Sequence, residues 1–155
     1  MKRILFLCTG NYYRSRFCEE YFNHRAKHRD LLWRADSRGL APDVTVFRNP
    51  GPLSPQTLEG LRALGVDLDG DLRYPLPARL IDFARADRAI ALSRCEHGPM
   101  VESFFPEHER AVEYWEVGDV EIESPASAIE KMIELTDRLV DEIRSGCGHR
   151  PTAGG

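Results

Sequence analysis

The chain has only four cysteines in 155 residues, and none of them forms a CxxC pair. That excludes a disulfide-stapled scaffold, and in a reducing compartment Cys8, Cys18, Cys95 and Cys147 read as free thiols. No apolar stretch approaches the length needed to span a bilayer, which argues against a membrane partner. Met1-Lys2-Arg3 leads into only four apolar residues, with neither a long apolar region nor a small-residue cleavage site, so no signal peptide is expected and the chain reads as cytoplasmic. There is no internal repeat and no composition break that would mark a second domain. Positive charge is also short: the net charge of −4 argues against a general nucleic-acid binder.

What is present is unevenly distributed. Residues 1–48 carry 10 Lys/Arg against 5 Asp/Glu, a local +5, whereas residues 49–155 carry 11 against 20, a local −9. A basic first third on an acidic chain suits a small anionic ligand bound near the N-terminus. The chain is 42% hydrophobic and 30% charged, ordinary for one globular domain of this length.

Periodicity alternates between strand and helix. Residues 4–7 are a short continuous apolar run, the signature of a buried parallel strand. Residues 14–28 follow with helical spacing that places Phe17, Cys18, Tyr21, Phe22 and Ala26 on one face. A strand is expected at 33–37 and a long Gly/Pro-rich loop at 39–55. Ser54-Pro55 is a helix-start signature, with Leu58, Leu61 and Leu64 as the apolar stripe. Residues 76–86 predict a shorter helix, 88–92 a buried strand, and Ser93 the start of a helix closed by Pro106. Residues 111–117 predict a strand. Ser124-Pro125 caps the longest helix, with Ile129, Met132, Ile133, Thr136, Leu139, Val140 and Ile143 on its buried face and Gly146 at its end. The domain is thus expected over 1–146, with 147–155 a disordered tail. Strands alternating with helices imply an α/β single domain with a parallel sheet, which places ligands at the carboxyl ends of its strands.

The most informative stretch is Ile4 to Arg16, ILFLCTGNYYRSR. Cys8 ends the first strand, and Arg14 and Ser15 open the following helix, giving the pattern C-x5-R-S. So short a loop between strand and helix can turn successive backbone N–H groups inward, where their field adds to that of the helix N-terminus. Gly10 and Asn11 are the residue types that tolerate the left-handed dihedrals such a turn requires. Such an environment favours the thiolate of a cysteine and binds a dianion. Arg14 supplies a planar fork for two phosphate oxygens, and Ser15 a hydroxyl for the sulfur. None of the other cysteines has an arginine six residues on. The residues predict a thiolate nucleophile that attacks phosphorus.

This stretch resembles the C-x-G-N-x-C-R-S loop of the low-molecular-weight protein tyrosine phosphatases. The resemblance continues through DSRGL (36–40), LRALGVDL, ARADRAIAL and the VGDV that precedes the last helix. It implies a phosphotyrosine phosphatase I-like three-layer sandwich, with a four-stranded parallel sheet and helices on both faces. By the same inference Cys8 is the nucleophile, Arg14 and Asn11 organise phosphate and loop, and Ser15 and Ser37 support the loop by hydrogen bonds. Thr9, Gly10, Tyr12 and Tyr13 complete the phosphate-binding turn. Asp119 is implied to be the general acid and base, a role that suits a leaving phenolate in need of a proton; four glutamates around it, at 113, 116, 121 and 123, make a solvated acidic loop the competing reading. The implied substrate is a phosphotyrosine-containing protein or a small aryl phosphate, the product is inorganic phosphate, and no metal or organic cofactor is implied.

The departures from the family pattern define questions for the structure. Tyr13 stands where the family keeps a second cysteine. Asp119 is followed by Val120, Glu121 and Ile122 rather than by proline and tyrosines. Arg73 replaces a histidine, and Leu92-Ser93 replaces Met-Asp. Tyr12 and Tyr13 offer an aromatic wall, or else pack inward. Two other functions fit the same loop: a phosphotyrosine-binding module with little turnover, and an arsenate reductase, which needs a relay of further thiols, for which only Cys95 lies in the right region. His24 and His28, at metal-binding spacing but with no third ligand, read as surface residues, and Trp33 and Trp115 as core or rim.

Overall fold

The structure is a computed structural model that describes residues 1–68 and 72–146. The chain alternates β1 (Lys2–Cys8), α1 (Arg14–His28), β2 (Trp33–Gly39), α2 (Pro55–Ala63), α3 (Leu80–Arg85), β3 (Arg88–Ala91), α4 (Arg94–Phe104), β4 (Val112–Tyr114) and α5 (Pro125–Arg144). The four strands form one parallel sheet in the order β2-β1-β3-β4. This is the expected α/β sandwich.

β1 is apolar throughout because both its faces are covered. Ile4 and Phe6 enter one core with Phe17 and Phe22 of α1 and Met132, Leu139 and Val140 of α5. Leu5 and Leu7 point the other way, into a second core with Phe83 of α3 and Val101 of α4. The period of two thus feeds two hydrophobic layers, and each fully buried Phe or Leu contributes about 1.5–3 kcal/mol. Right-handed crossovers explain the helix placement. From β1 the chain moves outward to β2, then returns past β1 to β3 and β4, so the covering helices change face. The reversal lies between β1 and β3, and it opens a crevice at the carboxyl ends of those strands, where Cys8 stands.

The serine caps form as predicted. Ser54 accepts from Gln56 N (3.1 Å), Ser93 from Glu96 N (3.2 Å) and Ser124 from Ser127 N (3.2 Å). The helix expected over 76–86 is corrected to Leu80–Arg85. Leu76 O instead accepts from Gly39 N (2.8 Å) and Ala78 N donates to Gly39 O (2.7 Å), so residues 76–78 extend the sheet edge. The strand expected over 111–117 is regular only at Val112–Tyr114, preceded by a 3-10 turn over Pro106–Ala111. Its pairing with the end of β3 nevertheless continues, through Trp115 N to Ala91 O and Val117 N to Leu92 O, both 2.8 Å. The long loop after β2 holds a 3-10 turn at Val44–Phe47. Trp115 packs on Phe6 at 5.5 Å between ring centroids, and Lys2 lies over Trp33. The predicted tail 147–155 lies outside the described residues.

Candidate active site

In the loop from Cys8 to Arg14 the left-handed turn expected of Gly10 and Asn11 falls on Asn11 alone: Gly10 does not take a positive φ, and what it provides instead is a close approach to the Phe47 ring, whose Cδ2 would lie 3.3 Å from a Cβ there. Asn11 takes φ of +54°, the left-handed conformation expected of it, and its fully buried side chain makes that turn rigid. Nδ2 donates to Ser15 Oγ (2.8 Å) and Ser37 Oγ (2.9 Å), and Oδ1 accepts from Arg73 Nη1 (2.9 Å) and Leu76 N (3.1 Å). Gly39, beside the loop, has no room for a side chain: a Cβ there would stand 2.8 Å from both Thr9 O and Val44 Cγ1. The sheet can therefore press against the loop only through glycine.

The loop that follows Cys8 leaves its backbone donors unused. Among the described residues, the N–H groups of residues 10–16 donate to no oxygen of the chain, and the first helical bond of α1 runs from Phe17 N to Tyr13 O. Tyr13, at the N-cap, supplies no side-chain cap, in contrast to the serines of α2, α4 and α5. A helix start with an uncapped run of amides is an anion site. Cys8 Sγ lies at this site, 3.0 Å from Ser15 Oγ.

Arg14 is only 2% exposed. Its Nη1 donates to Val117 O (3.0 Å) and Glu96 Oε1 (3.1 Å), and its Nη2 to Glu96 Oε2 (2.7 Å), with Asp119 Oδ2 at 3.6 Å from Nη2. Burial would raise the Glu96 carboxyl, but hydrogen bonds from His97, Arg14 and Thr9 hold it well below the usual carboxylate range. Ser37 donates to Glu19 Oε1 (2.5 Å), and Arg73 bridges Glu19, Ser37 and Asn11.

Cys8, Thr9, Gly10, Tyr12, Tyr13, Arg14 and Asp119 therefore converge on one cleft of about 360 Å³, whose wall also includes Phe47, Gln56 and Glu121. Asn11, Ser15 and Ser37 stand behind it. The two tyrosines divide the alternatives between them. Tyr12 lines the cleft and anchors its hydroxyl on Pro50 O (2.6 Å). Tyr13 turns inward and joins the core, and its hydroxyl is buried without a hydrogen-bond partner among the described residues. Burial first, and then the neighbouring Asp119, pushes that phenol up to about 12. The acidic loop is more ordered than a solvated stretch. Glu113 pairs with Arg88 (2.6 Å), Glu116 accepts from Arg94 N (3.2 Å), and Glu123 accepts from Gly118 N (3.0 Å) and Ser127 Oγ (2.6 Å). Asp119 and Glu121 are left facing the cleft.

Cys18 is sealed in the core, where burial pushes its thiol up, and Cys95 is exposed on α4. His24 and His28 stack on each other at 4.3 Å between ring centroids. Among the described residues, no group of three or more His, Cys, Asp or Glu is gathered that could hold a metal ion, and no helix is long and apolar enough to cross a membrane. Sequence reasoning missed Glu96, His97 and Phe47, and gave Arg73 no role. Ser93-Arg94-Cys95-Glu96 has the spacing of a capping box, which would send the Glu96 side chain back to its own helix; the structure sends it to Arg14 instead.

The family model described as low molecular weight phosphotyrosine protein phosphatase matches residues 3–149. Among solved structures, the low molecular weight protein tyrosine phosphatase of T. tengcongensis is 26% identical, with 92% of this chain and 99% of that chain covered and a TM-score of 0.72. A mutant of YwlE from Bacillus subtilis is 21% identical (93% and 99% covered, TM-score 0.75), and the YwlE arginine phosphatase of Geobacillus stearothermophilus 18% (94% and 95% covered, TM-score 0.74), likenesses that show the fold. No curated protein matches the chain. The chain belongs to the low molecular weight phosphotyrosine protein phosphatase family and is a cysteine-based phosphatase that takes a phosphorylated substrate and yields phosphate.

Proposed function

We propose that this protein hydrolyses aryl phosphomonoesters, phosphotyrosine in proteins among them, through a phosphocysteine on Cys8. The observation that carries the proposal is the run of amides over residues 10–16 that find no acceptor among the described residues, in a loop that lines one cleft with Cys8, with Arg14 fixed in the same loop. The amides and Arg14 bind the phosphoryl oxygens. Cys8 sulfur attacks phosphorus in line, the S–P bond forms as the P–O ester bond breaks, and Asp119 gives its proton to the departing phenolate. The Asp119 carboxylate then takes a proton from water as the water oxygen attacks phosphorus. The S–P electron pair returns to sulfur, which the Ser15 hydroxyl stabilises, and phosphate leaves. Tyr12 and Phe47 at the cleft wall favour an aromatic leaving group.

One observation favours a second substrate, a phosphorylated guanidine: Glu121 adds a second carboxylate to the wall beside Asp119. Assays of p-nitrophenyl phosphate, phosphotyrosine and phosphoarginine between pH 5 and 7 separate the two. Aryl turnover abolished in Cys8→Ser and lowered about 100-fold or more in Asp119→Asn supports the proposal. Binding of phosphotyrosine without turnover would make the protein a binding module, and faster hydrolysis of phosphoarginine would reassign the substrate. Arsenate turnover coupled to thioredoxin would make it a reductase.

A further inference from the structure

A guanidinium carries five N–H groups. Three of those on Arg14 are taken: Glu96 occupies the Nη1/Nη2 end in bidentate fashion, and Val117 O takes the other Nη1 hydrogen. The two that remain, on Nε and Nη2, share one side edge of the plane, which is a geometry that grips two oxygens of a phosphoryl group. The direction of that edge is thus set by whatever fixes Glu96.

Glu96 is itself unusually well held. It sits in the first turn of α4, whose N-cap Ser93 accepts from its backbone N–H. Its Oε2 accepts from Thr9 Oγ1 and lies 3.0 Å from His97 Nε2, which is also 3.1 Å from Thr9 Oγ1. His97 is fully buried, and its Nδ1 has no partner among the described residues. A buried N–H without an acceptor costs more than an idle lone pair, so the ring's proton belongs on Nε2, directed at Glu96 and Thr9. The network therefore runs from α4 through His97 and Glu96 to two residues of the phosphate loop. Neither Glu96 nor His97 reaches the cleft wall.

We infer that Glu96 is a positioning residue for the hydrolysis, with His97 as its buried support: together they aim the free edge of Arg14 at the equatorial oxygens of the transition state. The inference rests on the phosphatase reading above. In the ground state the loop amides hold the phosphoryl group even when Arg14 wavers. As the equatorial oxygens spread during in-line transfer, a misdirected fork loses contact with them. Loss of Glu96 should therefore be felt mainly in kcat and in the binding of transition-state mimics.

The test compares wild type, Glu96→Gln, His97→Gln and His97→Leu, using p-nitrophenyl phosphate kinetics and the affinities of inorganic phosphate and vanadate. Glu96→Gln keeps the shape but opposes an amide N–H to Arg14 or His97. We expect its kcat to fall about 10- to 100-fold with KM changed less than about threefold. Vanadate, which adopts the five-coordinate geometry, should lose at least about tenfold in affinity while phosphate loses less than about threefold. His97→Gln, which keeps a donor, should stay within about threefold of wild-type kcat, while His97→Leu falls with Glu96→Gln. Parallel losses of phosphate and vanadate affinity, an unchanged kcat, or equal kcat in the two His97 variants would overturn the inference and leave a structural ion pair. The His97 pair decides the matter if Glu96→Gln does not fold. Phosphate and vanadate titrations need no turnover, so a wild type that binds both but hydrolyses nothing would refute the phosphatase reading while still testing the geometry of Arg14.

Discussion

Asn11 offers the sharpest test of how the phosphate loop is held, because its backbone and side-chain contributions can be separated. Its side chain makes four hydrogen bonds, to Ser15, Ser37, Arg73 and the backbone of Leu76. The two serines and Arg73 keep other partners if Asn11 is truncated: Ser15 has Cys8, Ser37 has Glu19, and Arg73 has Glu19 and Tyr74 O. Each of those lost bonds is therefore worth about 0.5–1 kcal/mol. Leu76 N–H makes no other bond among the described residues, and leaving it unpaired costs about 1–2 kcal/mol. Asn11→Gly, which tolerates φ of +54°, should thus lose about 2.5–5 kcal/mol in all. Asn11→Ala loses the same bonds and adds the left-handed penalty of about 1–2 kcal/mol for an L-residue that has no local hydrogen bond to offset it. Urea unfolding of the three proteins measures the series, and kcat/KM with p-nitrophenyl phosphate reports the loop. The expected order is wild type, then Gly, then Ala, with kcat/KM falling in both variants because Ser15 is no longer oriented towards Cys8. If Ala proves as stable as Gly, the positive φ is not what Asn11 supplies; a loss under about 1 kcal/mol in Gly would mean that the four bonds are exchanged for water at no cost.

Two further outcomes follow from Tyr13 and Cys18. Tyr13 occupies the place of the family's second loop cysteine and Cys18 is sealed in the core, so peroxide should carry Cys8 past sulfenic to sulfinic acid with no second thiol in the phosphate loop to trap it; full recovery of activity in dithiothreitol after mild oxidation would contradict this. Removing the unpartnered Tyr13 hydroxyl in Tyr13→Phe should raise stability by about 1 kcal/mol, or about 2–4 °C in a thermal melt, whereas a loss of that size would show that the hydroxyl has a partner.

The parts of the molecule that were legible in the sequence are those in which one local signal decides the structure. The apolar run of β1, the five-residue face of α1 and the Ser-Pro starts of α2 and α5 each rest on short-range chemistry, and each forms as expected. The segment over 76–86 failed because its first residues gain more from pairing with Gly39 than from starting a helix through Pro77. That competition is decided by a strand more than thirty residues away. The same limit applies at the site. C-x5-R-S announced the loop, since strand, turn and helix follow one another in the chain. Glu96 and His97 lie more than eighty residues beyond Arg14 and Thr9, and their local pattern suggests helix capping. Only the parallel pairing of β1 with β3 brings them together.

The charge asymmetry of the sequence also acquires a physical meaning. The basic first third is not simply a positive surface, because Arg14 and Arg16, at 2% and 1% exposed, lie inside the protein. A buried guanidinium is tolerable only with partners, and the acidic remainder of the chain supplies most of them for Arg14: Glu96 and Val117 O at bonding distance and Asp119 nearby. Arg16 finds a carbonyl, Pro52 O at 2.9 Å, and its Nε has no partner among the described residues. Behind the loop, Arg73 of the later segment joins Glu19 to Asn11. Each carboxylate that neutralises a cation in this arrangement also fixes its direction. The loop therefore meets a dianion with donors already oriented, which is the condition under which electrostatic stabilisation in a shielded site requires no reorganisation as charge moves. Weakening a partner such as Glu96 should then disturb orientation before it disturbs net charge, because Arg14 stays cationic either way.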